Sequence, residues 1–150
     1  MIPIPKVPPP GVMLIHILSA LLLGWFFPLP IPSPVWMNGI GVIITLGGLW
    51  LAWQAVSQMR QHGVSPAPQS NPPQLLTGGI YQRTRNPIYL AYIIAGAGIP
   101  LALGTYWGLV LIPLGVDMFN RFVITNEEAR LEKLFGREYS DYKSRVKRWL

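Results

Sequence analysis

Two short stretches of this chain hold residues able to bind a charged ligand. The first reads Gly78-Gly79-Ile80-Tyr81-Gln82-Arg83-Thr84-Arg85-Asn86-Pro87-Ile88-Tyr89-Leu90. Asn86 precedes a proline, which disfavours helical dihedrals there, while asparagine caps helices well and proline suits the first helical position. A helix is therefore expected to begin at Pro87. Its free amides and positive dipole end attract anions, and Arg83 and Arg85 add to that field. The same residues also suit a capped helix whose arginines snorkel at a membrane boundary. The second stretch contains Arg121, Glu127 and Glu128. In a continuous helix Ile124, Glu128, Leu131 and Phe135 share one face, and Glu127 lies about 100° around from it. Both carboxylates then border an apolar seam, where they either pair with Arg130 or Lys133 or bind a cation. Asp117 sits inside an apolar run, one turn before Arg121, and is either a functional intramembrane acid or one half of an interfacial ion pair. His16 and His62 lie far apart and cysteine is absent, so neither a metal site nor thiol chemistry is expected.

The elements that must position these residues are apolar. Hydrophobic residues make up 51% of the 150 and charged residues 12%, about half the usual charged share. No charge occurs from Val12 to Met59 or from Ile88 to Val116, more than a soluble domain of this size can hide from water. Four apolar helical segments are predicted, at about 12–27, 35–59, 87–103 and 106–123, in a single domain covering 1–150. Pro28-Leu29-Pro30-Ile31-Pro32 ends the first, which lacks a small-x-small cleavage pattern and reads as a retained anchor. Segments three and four are near the lower length limit for a crossing. They either span or form a hairpin, and both ends of the pair emerge on one side.

All twelve basic residues flank these segments unevenly. Lys6 precedes segment one; Arg60, Arg83 and Arg85 lie between segments two and three; the rest, from Arg121 to Arg148, lie at or beyond the end of segment four. The other two connections carry no charge. By the positive-inside rule the termini and the basic loop face the cytoplasm. The fold class expected is thus an all-α, multi-pass integral membrane protein with a cytoplasmic C-terminal helical extension. A net charge of +6 in this setting points to anionic lipid headgroups as partner, not nucleic acid. Gly39, Gly41, Gly47 and Gly48, with Ala91, Ala95, Gly98 and Ala102, predict close helix packing through small faces.

The string from Gly79 to Leu90, with Glu127-Glu128 and Leu134-Phe135-Gly136-Arg137-Glu138-Tyr139, Tyr142, Arg145-Val146 and Arg148-Trp149, resembles the isoprenylcysteine carboxyl methyltransferase family. The related phospholipid N-methyltransferases share parts of this pattern. The likeness covers about Leu76 to Leu150; many members have histidine where this chain has Asn86. It implies a membrane-embedded methyltransferase using S-adenosylmethionine, bound by segments 76–90 and 121–149, with a lipophilic or small methyl acceptor. Carried over by position, Tyr81, Arg85, Asn86, Pro87, Tyr89 and Leu90 would form the cofactor pocket, and Glu127 and Glu128 would hold its ammonium group. Arg85 would orient the acceptor or the cofactor carboxylate, with Arg121 as a helper. The rival expectations are a sterol-reductase-like enzyme using a nicotinamide, and a structural membrane protein without a cofactor.

Overall fold

The computed structural model describes residues 8–67 and 70–150. Lys6 lies outside them. Among the described residues all regular structure is helical.

Prolines set most helix boundaries. Pro8 is extended and α1 runs Pro9–Phe26; Pro34 is extended and α2 runs Val35–Gln61. Helix α3, Pro87–Ala102, begins on proline as expected, because that position needs no backbone donor. The Asn86 side chain makes no capping bond, however. Its amide donates to the Arg148 carbonyl at 3.0 Å, so a long-range contact displaces the expected local one. Gly104, at φ +87°, turns the chain after α3.

Segment four is not one helix. It divides into α4 (Trp107–Val110), α5 (Ile112–Phe119) and a π-helical turn (Asn120–Ile124) that leads into α6 (Thr125–Phe135). Pro113 has no N–H to continue the helical ladder across the α4–α5 break. Near it, buried His16 of α1 is hydrogen-bonded to the Gly108 carbonyl at 3.0 Å. Gly136, at φ +51°, ends α6, and α7 (Arg137–Arg145) follows.

Helices α2 and α3 pack most extensively. A Cβ on Gly41 would overlap the Ala102 backbone, and one on Gly48 would stand 3.0 Å from the Ala91 carbonyl. Gly39 and Gly47 face open space, so only half of the glycines in α2 serve the expected packing. Among the described residues two helices, α1 and α2, are long and apolar enough to cross a membrane. At 16 residues, α3 reaches about 24 Å, short of a hydrocarbon core of about 30 Å. Exposed Leu18, Leu22, Ile43, Leu46, Trp50 and Trp53 on α1 and α2 form a surface better matched to lipid than to water.

The two uncharged connections meet at one end of the bundle. There the Trp107 indole donates to the Phe27 carbonyl at 2.8 Å and the Tyr106 hydroxyl to the Pro32 carbonyl at 2.8 Å. The basic connection and the C-terminal segments gather around the start of α3.

Candidate functional site

A cavity of about 600 Å³ opens where the start of α1, the end of α2, the start of α3 and α6–α7 converge. That volume falls within the range of small-molecule sites. An apolar cluster of Val12, Ile93, Phe119, Val123 and Ile124 backs it: Val123 itself lines the cavity, as do Tyr89, Tyr92 and Phe122, which pack against the cluster. Tyr89 stacks on Phe119 at 5.5 Å between ring centroids, which fixes the tyrosine at the cavity wall.

The segment before α3 is held from three sides. Gln58 of α2 donates to the Gly78 carbonyl at 2.7 Å and accepts from the Ile80 amide at 3.3 Å. Gly79, at φ +56°, lies so close that a Cβ there would stand 2.5 Å from the Gln58 Oε1. Tyr142 of α7 donates to the Tyr81 carbonyl at 2.7 Å. The C-terminal strand of residues, extended at Val146, supplies the third side. The Lys147 carbonyl accepts from the Arg85 amide at 3.0 Å, and the Arg148 carbonyl accepts from the Thr84 hydroxyl at 3.1 Å and from the Asn86 side-chain amide.

Charge is concentrated at the centre. Arg148 holds Glu128 with two bonds, Nη2 to Oε2 at 2.6 Å and Nε to Oε1 at 3.0 Å. Arg85 Nη1 reaches Oε1 at 2.8 Å and the Tyr139 hydroxyl at 3.3 Å. Burial disfavours a charged Glu128, but the Arg148 hydrogen bond and the charges of Arg85, Arg148 and Lys143 outweigh it and hold the carboxyl below the usual glutamate range. Glu127 is placed differently: it accepts from the Tyr89 hydroxyl at 2.5 Å and remains half-buried on the cavity wall. Burial raises the phenol pKa of Tyr81, Tyr139 and Tyr142, helped at Tyr81 by the Glu127 charge. These phenols therefore stay protonated near neutrality: Tyr142 donates to the Tyr81 carbonyl, and the Tyr139 hydroxyl accepts from Arg85. Two buried nitrogens, Arg85 Nε and Arg130 Nε, have no hydrogen-bond partner, and both residues line the cavity.

Of the residues singled out in the sequence, Tyr81, Arg85, Asn86, Pro87, Tyr89, Glu127 and Glu128 line this one cavity. Leu90 does not, since one residue beyond Tyr89 turns it about 100° around α3. Arg121 does not either. Its guanidinium lies 2.8 Å from Asp117, one turn earlier, and its side chain is 71% exposed. For Asp117 this is the ion-pair alternative. Sequence reasoning named no role for Tyr92 and Arg130, which line the cavity, or for Arg148 and Asn120, which brace it. Arg148 and Trp149 both bond Asn120 Oδ1 at 3.2 Å, and that asparagine opens the π-helical turn, a feature frequent at functional sites.

Residues 36–138 match the phospholipid methyltransferase family model, and the chain belongs to that family. It is 36% identical over 72 residues to Protein-S-isoprenylcysteine O-methyltransferase of Schizosaccharomyces pombe, covering 48% of this chain and 30% of that protein. It is 30% identical to Methanethiol S-methyltransferase 1 of Bradyrhizobium diazoefficiens, covering 86% of this chain and 49% of that protein. Against Protein-S-isoprenylcysteine O-methyltransferase of Mus musculus the identity is 29%, over 74% of this chain and 40% of that protein. The chain thus spans half or less of the length of these relatives. No solved structure gives a significant match.

Proposed function

We propose that this chain is a multi-pass, membrane-embedded methyltransferase that takes its methyl group from S-adenosylmethionine and passes it to a lipophilic or small acceptor. The observation that carries the reading is the meeting, in one cavity at the basic end of the bundle, of a half-buried carboxylate, two unpartnered guanidinium N–H groups and several tyrosines. That donor set fits the cofactor: Glu127 suits an ammonium, a guanidinium suits a carboxylate, and Tyr81 or Tyr89 can lie against the adenine or sulfonium. Glu128 is a weaker partner for the ammonium than Glu127, since two guanidiniums already hold it.

When bound, the cofactor supplies a methyl group activated by a positively charged sulfur. The protein's task is alignment, which in well-oriented reactions contributes several kcal/mol. The network of Arg85, Glu128, Arg148 and Tyr139 fixes the turn that carries Arg85 and Asn86. The Tyr89–Glu127 bond fixes the cavity wall, and the cavity's apolar side at Met59, Leu76, Tyr92 and Phe122 excludes water from the acceptor. The names of the relatives include a carboxylate and a thiol acceptor, both able to react as anions. Such an acceptor needs no strong base, in keeping with tyrosines that stay protonated.

Methyl transfer tests this reading. Purified protein given S-adenosylmethionine labelled in its methyl group is expected to label either an S-prenylated N-acetylcysteine or a short alkanethiol. Folded protein that labels neither of these, nor the lipids of its own membrane, overturns it.

A further inference from the structure

We propose that Arg130 is an anion-receiving residue of this cavity, so that Glu127 and Arg130 offer a bound ligand two opposite charges from one helix face. The proposal rests on the methyltransferase reading for the identity of the ligand, and on geometry alone for the chemistry it takes. Glu127 and Arg130 are three residues apart on α6, which places them on neighbouring turns of one side. Both line the cavity. They are not paired with each other: the ion pairs among the described residues are Arg85–Glu128, Arg148–Glu128, Asp117–Arg121 and Lys143–Glu132.

The neighbouring charged groups each have a partner, although Arg85, paired with Glu128 through Nη1, also keeps an unpartnered Nε. Glu128 takes both Arg85 and Arg148, and Glu127 takes the Tyr89 hydroxyl. Arg130 keeps a buried Nε with no acceptor. A buried guanidinium N–H without a partner is costly, and a ligand oxyanion would remove that cost through a charge-assisted bond. The group that fits is a carboxylate or phosphate, from one of two sources: the carboxylate of the cofactor's amino-acid end, or an anionic acceptor.

Calorimetry on protein in zwitterionic lipid nanodiscs separates the sources. The probes are S-adenosylhomocysteine, its decarboxylated analogue S-adenosyl-3-thiopropylamine, octyl phosphate and octanol. They are compared in the wild type, Arg130→Gln and Arg130→Lys. If the cofactor carboxylate is the anion, Arg130→Gln weakens S-adenosylhomocysteine at least tenfold, leaves the decarboxylated analogue unchanged, and Arg130→Lys recovers part of the loss. If the acceptor supplies the anion, both adenosyl ligands are unchanged and Arg130→Gln abolishes the preference for octyl phosphate over octanol. Equal weakening of both adenosyl ligands, or no change with any probe, overturns the proposal. A wild type that binds neither adenosyl ligand removes the methyltransferase reading instead, and the octyl phosphate comparison then decides Arg130 by itself.

Discussion

Arg148 reaches back twenty residues to take both carboxylate oxygens of Glu128, sharing Oε1 with Arg85. One acid is thus shared by two guanidiniums, and its side chain is only 9% exposed. The same residue's carbonyl also holds Thr84 and Asn86. A single tail position therefore ties α6 to the turn before α3.

Removing that tie is costly. Arg148→Gln is expected to lower stability by about 1–3 kcal/mol, less than for a fully buried pair because Arg85 keeps its bond and Arg148 is partly exposed. Thermal melting of the detergent-solubilised protein measures this. A melting temperature equal to that of the wild type would mean the contact contributes nothing.

The pH dependence follows from Glu128. Its folded pKa lies below the ordinary value of 4.5, so its contribution to stability is fully present above that value and is lost as pH falls through the lower folded one. Wild-type protein should melt at a constant temperature from pH 7 to about pH 5, as far as this group decides it. Below pH 4.5 the melting temperature should fall. Glu128→Gln should melt lower at neutral pH and show a smaller acid-side fall. An identical fall in the variant would place the acid sensitivity elsewhere.

Glycine substitutions test the packing of α2 on α3. Gly41→Ala puts a methyl group into the Ala102 backbone, whereas Gly47→Ala points into open space. The first is expected to cost at least about 2 kcal/mol through overpacking, and the second to be neutral or slightly stabilising from helix propensity. Melting of the two variants side by side gives the answer, and similar values for both would contradict the close contact.

The chain has no cysteine, which makes its topology directly testable. Ser33→Cys, in an uncharged connection, and Ser144→Cys, in α7, are both exposed. In sealed vesicles a membrane-impermeant thiol reagent should modify one of them and reach the other only after permeabilisation. Modification of both from the same side would overturn the expected orientation.

What the sequence made legible follows from how local each signal is. Pro87 marks a helix start because proline acts on its own backbone and its neighbour's, whereas the first helix begins at Pro9, ahead of the expected Val12. The charge-free runs mark α1 and α2 because a solvent preference is a property of composition. The grouping of Tyr81, Arg85 and Tyr89 with Glu127 and Glu128 came from the family pattern, not from periodicity. Arg148 stands in the family pattern, but its role was hidden because its partners, Glu128, Thr84 and Asn86, are distant in sequence. The π-helical turn at Asn120 has no residue signature. Asn86 looked like a cap because the local rule is sound, yet the Arg148 carbonyl took its amide. Arg121 was expected as a helper, but it pairs with Asp117 one turn earlier and does not line the cavity.

The most direct measurement is calorimetric binding of S-adenosylhomocysteine to the folded, detergent-purified protein, with NADPH as a control and Glu127→Gln beside the wild type. Saturable binding of S-adenosylhomocysteine alone, weakened about tenfold or more by Glu127→Gln as expected for loss of a charge-assisted bond, is the result predicted here. Binding of NADPH instead, or of neither ligand by folded protein, would contradict it.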